Sequence, residues 1–278
     1  MIALSDILTD VFLRGSLLGV LLAIVGALFV VTLVCATYAL VLRRRNEIKD
    51  RRRAHYARMW TDRLIPALMD EAEATSLQQS VQESDRLPFV GFAVQYARRL
   101  RGEGRDALVR IVRPFLGPVL ERAESRRVEV RARAIQTLGT LGLPEHAHRV
   151  IAALDDPSPL VAMVAARALA TQESPEYAEA VLARLHRFNG WNQRFLASML
   201  ASMGPGIAPT LRSGLADALN DPRSRAVLAE ALRIQGDLGS GDAAAEVLRS
   251  SSDPELLASA LRLLRDVGRP EHVDAVRP

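Results

Sequence analysis

Cysteine is almost absent from this chain: Cys35 stands alone among 278 residues, so no internal disulfide can hold the fold. Histidine is scarce as well, at five residues, which leaves few soft ligands for a structural zinc or an iron–sulfur cluster. Lysine occurs once, at Lys49, so arginine carries nearly all the positive charge. No run alternates as a strand would, and no Gly-x-Gly-x-x-Gly follows a strand. Glycine and proline, 17 and 14 residues, are at ordinary levels and exclude collagen-like or low-complexity material.

What is present is uneven charge around one long apolar run. The formal net charge is +4, yet residues 43–58 carry +6, 59–85 carry −5 and 86–133 carry +7. A general basic coat is therefore missing, and no nucleic acid is expected as a partner. Gly15 to Leu42 are 28 residues without a formal charge. As a helix they would extend about 42 Å, more than the roughly 30 Å of a bilayer core. We read 15–42 as a transmembrane helix after a short outside segment, 1–14. Asp6 and Asp10 precede the run where a cleaved signal peptide would be basic, so the anchor is expected to be retained.

Arg43, Arg44, Arg45, Lys49, Arg51, Arg52 and Arg53 follow the run directly. By the positive-inside rule they place the amino terminus outside and the carboxy-terminal bulk in the cytoplasm of the inner or plasma membrane. The same residues form a patch suited to anionic lipid headgroups. Gly15, Gly19, Ala23 and Ala27 recur at every fourth position, a stripe along which a second transmembrane helix could approach closely.

Beyond residue 85 the chain repeats. Leu138, Leu169, Leu200, Leu232 and Leu264 are separated by 31, 31, 32 and 32 residues, and Asp156-Pro157, Asp221-Pro222 and Asp253-Pro254 share the period. Pro-Glu recurs at Pro144, Pro175 and Pro270, six residues beyond three of those leucines. Each period predicts two helices: the first carries the leucine, and the second starts at Pro-Glu, where proline costs only an orphan donor and glutamate suits the helix dipole. The expected layout is a basic juxtamembrane helix and linker over 43–85, kinked or bounded at Pro66 and looped over 70–85. A solenoid follows over 86–278, with a divergent leading pair over 86–124 and repeats starting near 125, 156, 189, 221 and 253. The final unit lacks a counterpart of Leu154, which predicts that residues from about Arg269 onward are poorly ordered, or are covered by another chain or a missing extension.

Val130-Arg131, Ala134, Leu138-Gly139 and Leu141-Gly142 resemble the Val-Arg-x-x-Ala-x-x-x-Leu-Gly core of the HEAT family, in the short bacterial form related to phycobilisome-lyase repeats. The likeness covers residues 88–278, weakens at Val161-Ala162 and loses the Val-Arg pair in the third repeat. It implies an all-α fold, one transmembrane helix followed by a right-handed α-solenoid of short helix pairs. The whole layout is also similar to bacterial membrane HEAT proteins that accompany membrane glycosyltransferases. That similarity implies a non-catalytic scaffold with a membrane glycosyltransferase as partner and no cofactor.

The rival expectation is an enzyme, either a phycobilisome-lyase-like protein or a metal-dependent HEAT-repeat hydroxylase that holds iron through His-Glu pairs. Here the pairs are Glu145-His146 and Glu271-His272, reversed in order and only two in number. No catalytic or metal-ligating set emerges from them. Phe188, Trp191 and Phe195 cluster where the third repeat departs from the pattern, and are expected either to anchor a partner or to fill a seam.

Overall fold

The computed structural model describes the backbone of residues 2–276, and their side chains except at 2–21, 23, 45–55 and 57. Gly15, Gly19 and Ala23 of the expected stripe, and Arg45, Lys49, Arg51, Arg52 and Arg53 of the basic run, lie outside the described residues. The chain divides into two compact units, Met1–Arg63 and Leu64–Pro278.

The first unit is helix throughout its described residues, part of α1 (Ile2–Met69). Within it, Ile24–Arg44 has a mean hydropathy of 2.5 and nothing covers it. Leu28, Phe29, Val34 and Leu40 are all more than half exposed, and none of their described apolar neighbours on the helix is buried. This stretch is long and apolar enough to cross a membrane. Further along, Tyr56 and Trp60 stack with ring centroids 4.8 Å apart, one helical turn from each other.

The second unit begins inside α1, where Leu64 and Ala67 are buried. Pro66 does not end the helix: α1 continues to Met69, and the Asp70 N–H donates to the Pro66 carbonyl at 3.0 Å. Pro66 faces solvent, so the hydrogen bond it forfeits leaves a carbonyl within reach of water. Nor is 70–85 a loop. Asp70 accepts from the Ala72 N–H at 2.8 Å and caps α2 (Glu71–Ser80), whose Leu77 is buried. Gln78, which looked like linker composition, donates to the Ile111 carbonyl at 3.1 Å.

Three helices, not a pair, occupy the leading region: α3 (Arg86–Ala97), α4 (Gly102–Val112) and α5 (Gly117–Ala123). Pro114 and Gly117-Pro118 cut what a two-helix reading joins, with a 3-10 turn over Arg113–Phe115 between α4 and α5. Paired helices follow: α6 (Val128–Leu141) with α7 (Pro144–Ala152), α8 (Pro159–Ala170) with α9 (Pro175–Leu182), and α10 (Gln193–Ala201) with α11 (Ala208–Ala216). The last pairs are α12 (Pro222–Gln235) with α13 (Gly241–Ser250), and α14 (Pro254–Val267) with α15 (Val273–Val276). The first members stack in order as one layer and the second members as another, the arrangement of an all-α solenoid. No strand occurs among the described residues.

All five ladder leucines are buried. The Asp-Pro signal has two distinct uses. Asp221 and Asp253 are N-caps, accepting from the Ser224 and Leu256 N–H groups at 3.0 and 2.8 Å with proline at the first helical position. At Asp156-Pro157 the helix starts two residues later, at Pro159, and Asp156 is freed for a different partner described below.

Of the carboxy-terminal expectations, poor order is not met through Val276, where Val273 and Val276 keep 45% and 51% exposure. Pro270–His272 form a 3-10 turn leading into α15, and His272 is buried. Its Nδ1 accepts from the Arg269 N–H at 3.0 Å, so the segment is tied down by its own side chain.

Candidate interaction site

Two seams of the array lie side by side and are built differently. Between α6 and α8 the helices are in intimate contact. A Cβ on Gly139 would sit 2.2 Å from the Cβ of Ala168, so only glycine permits this approach. Arg131 clasps Asp156 through two parallel bonds of 2.9 and 2.8 Å, and its remaining amine donates to the Ser125 carbonyl at 2.8 Å. The Arg131 side chain beside it holds the Asp156 carboxyl below the usual carboxylate range against the opposing effect of burial. Gln172 donates to the Gly139 carbonyl at 3.0 Å, supplying one of the partners that a helix end lacks. Gly142 closes α6 with φ at +66°, the left-handed cap that the Leu-Gly pattern anticipates.

Between α8 and α10 the contact is slight. Instead of running on as a full second helix, the chain after α9 forms a 3-10 turn, Leu185–Phe188, that touches both α8 and α12. Phe188 is buried at 1% exposure, so it fills this seam and is no partner anchor. Trp191 is half-buried, while Phe195 on α10 is 38% exposed, their ring centroids 6.2 Å apart. The sequence cluster is thus split: one ring in the core, one at its edge, one on the surface.

An open groove of about 830 Å³ occupies the face of this loose seam. Arg98, Arg101 and Arg105 come from the end of α3 and the start of α4, Gln136 and Thr140 from α6, and Arg167 from α8. Phe195, Ser198 and Met199 from α10 complete it. Arg167 lies over the Phe195 ring at 6.0 Å from its centroid, and Arg105 donates to the Thr140 carbonyl at 3.1 Å. Sequence reasoning missed the groove because its walls are up to about a hundred residues apart; the signal on hand was the +7 charge of 86–133.

Residues 114–191 match the family model for HEAT repeats. The match begins just before α5 and stops at Trp191, so it contains the tight α6–α8 seam and ends where the third repeat departs. Comparison with curated proteins and with solved structures returns no match.

The His-Glu pairs of the HEAT-repeat region and its carboxy-terminal end do not converge. Glu145 pairs with the Arg113 guanidinium at 3.0 Å, and burial pushes the neighbouring His146 down against the pull of Glu145. Asp242, Glu271 and His272 do bring ligand atoms within 4.8 Å of one another. Yet His272 Nδ1 accepts a backbone N–H, which puts the ring proton on Nε2, where it donates to Asp242 Oδ1 at 3.0 Å. A metal on Nε2 would need that proton moved to Nδ1, against the Arg269 N–H. The arrangement serves as a clasp between α13 and the segment after α14.

Proposed function

We propose that this chain is a single-pass membrane scaffold whose HEAT-like array lies in the cytoplasm and binds other proteins without performing chemistry of its own. One observation carries the reading: an uncovered apolar helical stretch, Ile24–Arg44, shares a chain with a stacked helix array of which residues 114–191 match HEAT repeats. Apolar surface fully exposed all round a helix has a large free-energy penalty in water and none in hydrocarbon. Orientation rests on the arginines that follow it, of which Arg43 and Arg44 stand at the edge of the apolar stretch. The basic run also supports contact with anionic lipid. Stacked helix pairs present long ridged faces suited to protein partners, and the clasp at His272 supports a structural over a catalytic use of the histidines.

The partner class comes from resemblance: membrane HEAT proteins of this layout accompany membrane glycosyltransferases. Affinity purification of the full chain from native membranes in mild detergent tests it. Enrichment of a glycosyltransferase over a control carrying only residues 1–63 supports the assignment, and repeated recovery of other proteins alone would remove it. Membrane attachment is tested separately: the full chain should stay with membranes at high salt and alkaline pH, and a chain lacking residues 15–42 should be released.

A further inference from the structure

We infer that the groove beside α8 and α10 binds an acidic peptide segment carrying an apolar side chain. The inference rests on the scaffold reading and names the partner's chemistry. Four arginines line the groove, Arg98, Arg101, Arg105 and Arg167, against one carboxylate, Glu173. Among the described residues none of the four forms an ion pair, although Glu173 shares the groove with them. The guanidinium groups that are held in place are held by neutral acceptors, Arg105 by the Thr140 carbonyl and Arg101 by those of Arg98 and Leu100, so their charge is uncompensated. Guanidinium forks match carboxylates in a bidentate geometry, and the surrounding field would also attract an acidic partner before contact.

The rest of the lining chooses between anionic ligands. Phe195, partly exposed beneath Arg167, gives the groove an apolar patch, while Gln136, Thr140 and Ser198 offer side-chain hydrogen bonds of the kind a peptide backbone uses. A phosphate-rich polymer would leave the apolar patch unused. At about 830 Å³ the groove lies within the roughly 300–1,000 Å³ of drug-sized ligand sites, room for a few residues. Its place also has a reason: it opens where the 3-10 turn Leu185–Phe188 replaces regular helix and α10 stands off from α8.

The test uses the full chain in nanodiscs of neutral lipid. The probe is a short fluorescein-labelled peptide of glutamate and aspartate around one phenylalanine, followed by fluorescence anisotropy. Saturable binding is expected, weakened by salt. It should fall at least about tenfold in the exposed double variant Arg98→Glu/Arg101→Glu and remain unchanged in Arg122→Glu on α5. A scrambled peptide lacking the phenylalanine should bind more weakly to wild type but equally to Phe195→Ala. No binding by the wild type, or binding that survives the double variant, overturns the inference. So does a groove whose arginines are instead needed to sediment with phosphatidylglycerol vesicles, which would make it a lipid site. None of these results touches the membrane-attachment test, so the groove and the anchored scaffold stand or fall separately.

Discussion

The α6–α8 seam and the α8–α10 seam share one helix and differ in nearly everything else. On one side Gly139 lets two backbones meet, Arg131 clasps Asp156 and Gln172 caps Gly139. On the other, α10 stands off, a 3-10 turn fills the gap from behind and a basic groove opens in front. Here the seam that follows the intact repeat signature is closed, and the α8–α10 seam opens as a surface. A helix array whose every seam was closed would have less concave surface to offer a partner, so the irregular repeat is where function has room.

The comparison can be broken most decisively at the ladder. Leu169 and Leu200 are 1% and 0% exposed, one on each side of the loose seam. If the looseness is confined to the groove face, Leu169→Ala and Leu200→Ala should each destabilise the protein by about 2–5 kcal/mol in chemical unfolding. A much smaller loss for Leu200→Ala would mean that the opening reaches the core.

Gly139→Val tests the closed seam. Its added carbons would collide with Ala168, and the expected loss is about 1–3 kcal/mol, with partial recovery in Gly139→Val/Ala168→Gly. The third effect is a pH dependence. Because Arg131 depresses the folded-state value of Asp156, the stability this pair adds is fully present above the ordinary aspartate value of about 3.9 and is lost as pH falls through the lower folded value. Arg131→Ala should therefore be less stable than wild type at neutral pH, and the gap should narrow below about pH 4 in melting experiments. A gap that is constant across that range would assign the role of Arg131 to packing alone. Smallest of all, Phe195→Ala on the open side should change stability by no more than about 0.5 kcal/mol, since its ring is partly exposed and ends no core contact.

Sequence was most informative where one physical cause repeated. The leucines, the Pro-Glu starts and the Asp-Pro caps recur because helix pairs meet the same burial and capping demands: all five leucines are buried, Pro144 and Pro175 open α7 and α9, and Asp221 and Asp253 cap α12 and α14. It misled where a demand arose once. Gln78 and Asp70 belong to a helix, not a linker, because one reaches a carbonyl on a neighbouring helix and the other caps its own. For Phe188 the sequence allowed either a partner anchor or a seam residue, and its burial decides for the seam, while His272 is buried by a contact that the period does not encode. The groove depends on four separated stretches meeting, which no local pattern reports.

The central claim is that the array works on the cytoplasmic side of the membrane to which residues 15–42 anchor it. A reporter active only in the cytoplasm, fused after Pro278 in the full-length chain, measures this most directly. The account predicts strong activity, diminished when Arg43, Arg44, Arg45, Arg51, Arg52 and Arg53 are replaced by neutral residues. An inactive cytoplasmic fusion alongside an active reporter of the outside compartment at the same position would contradict it.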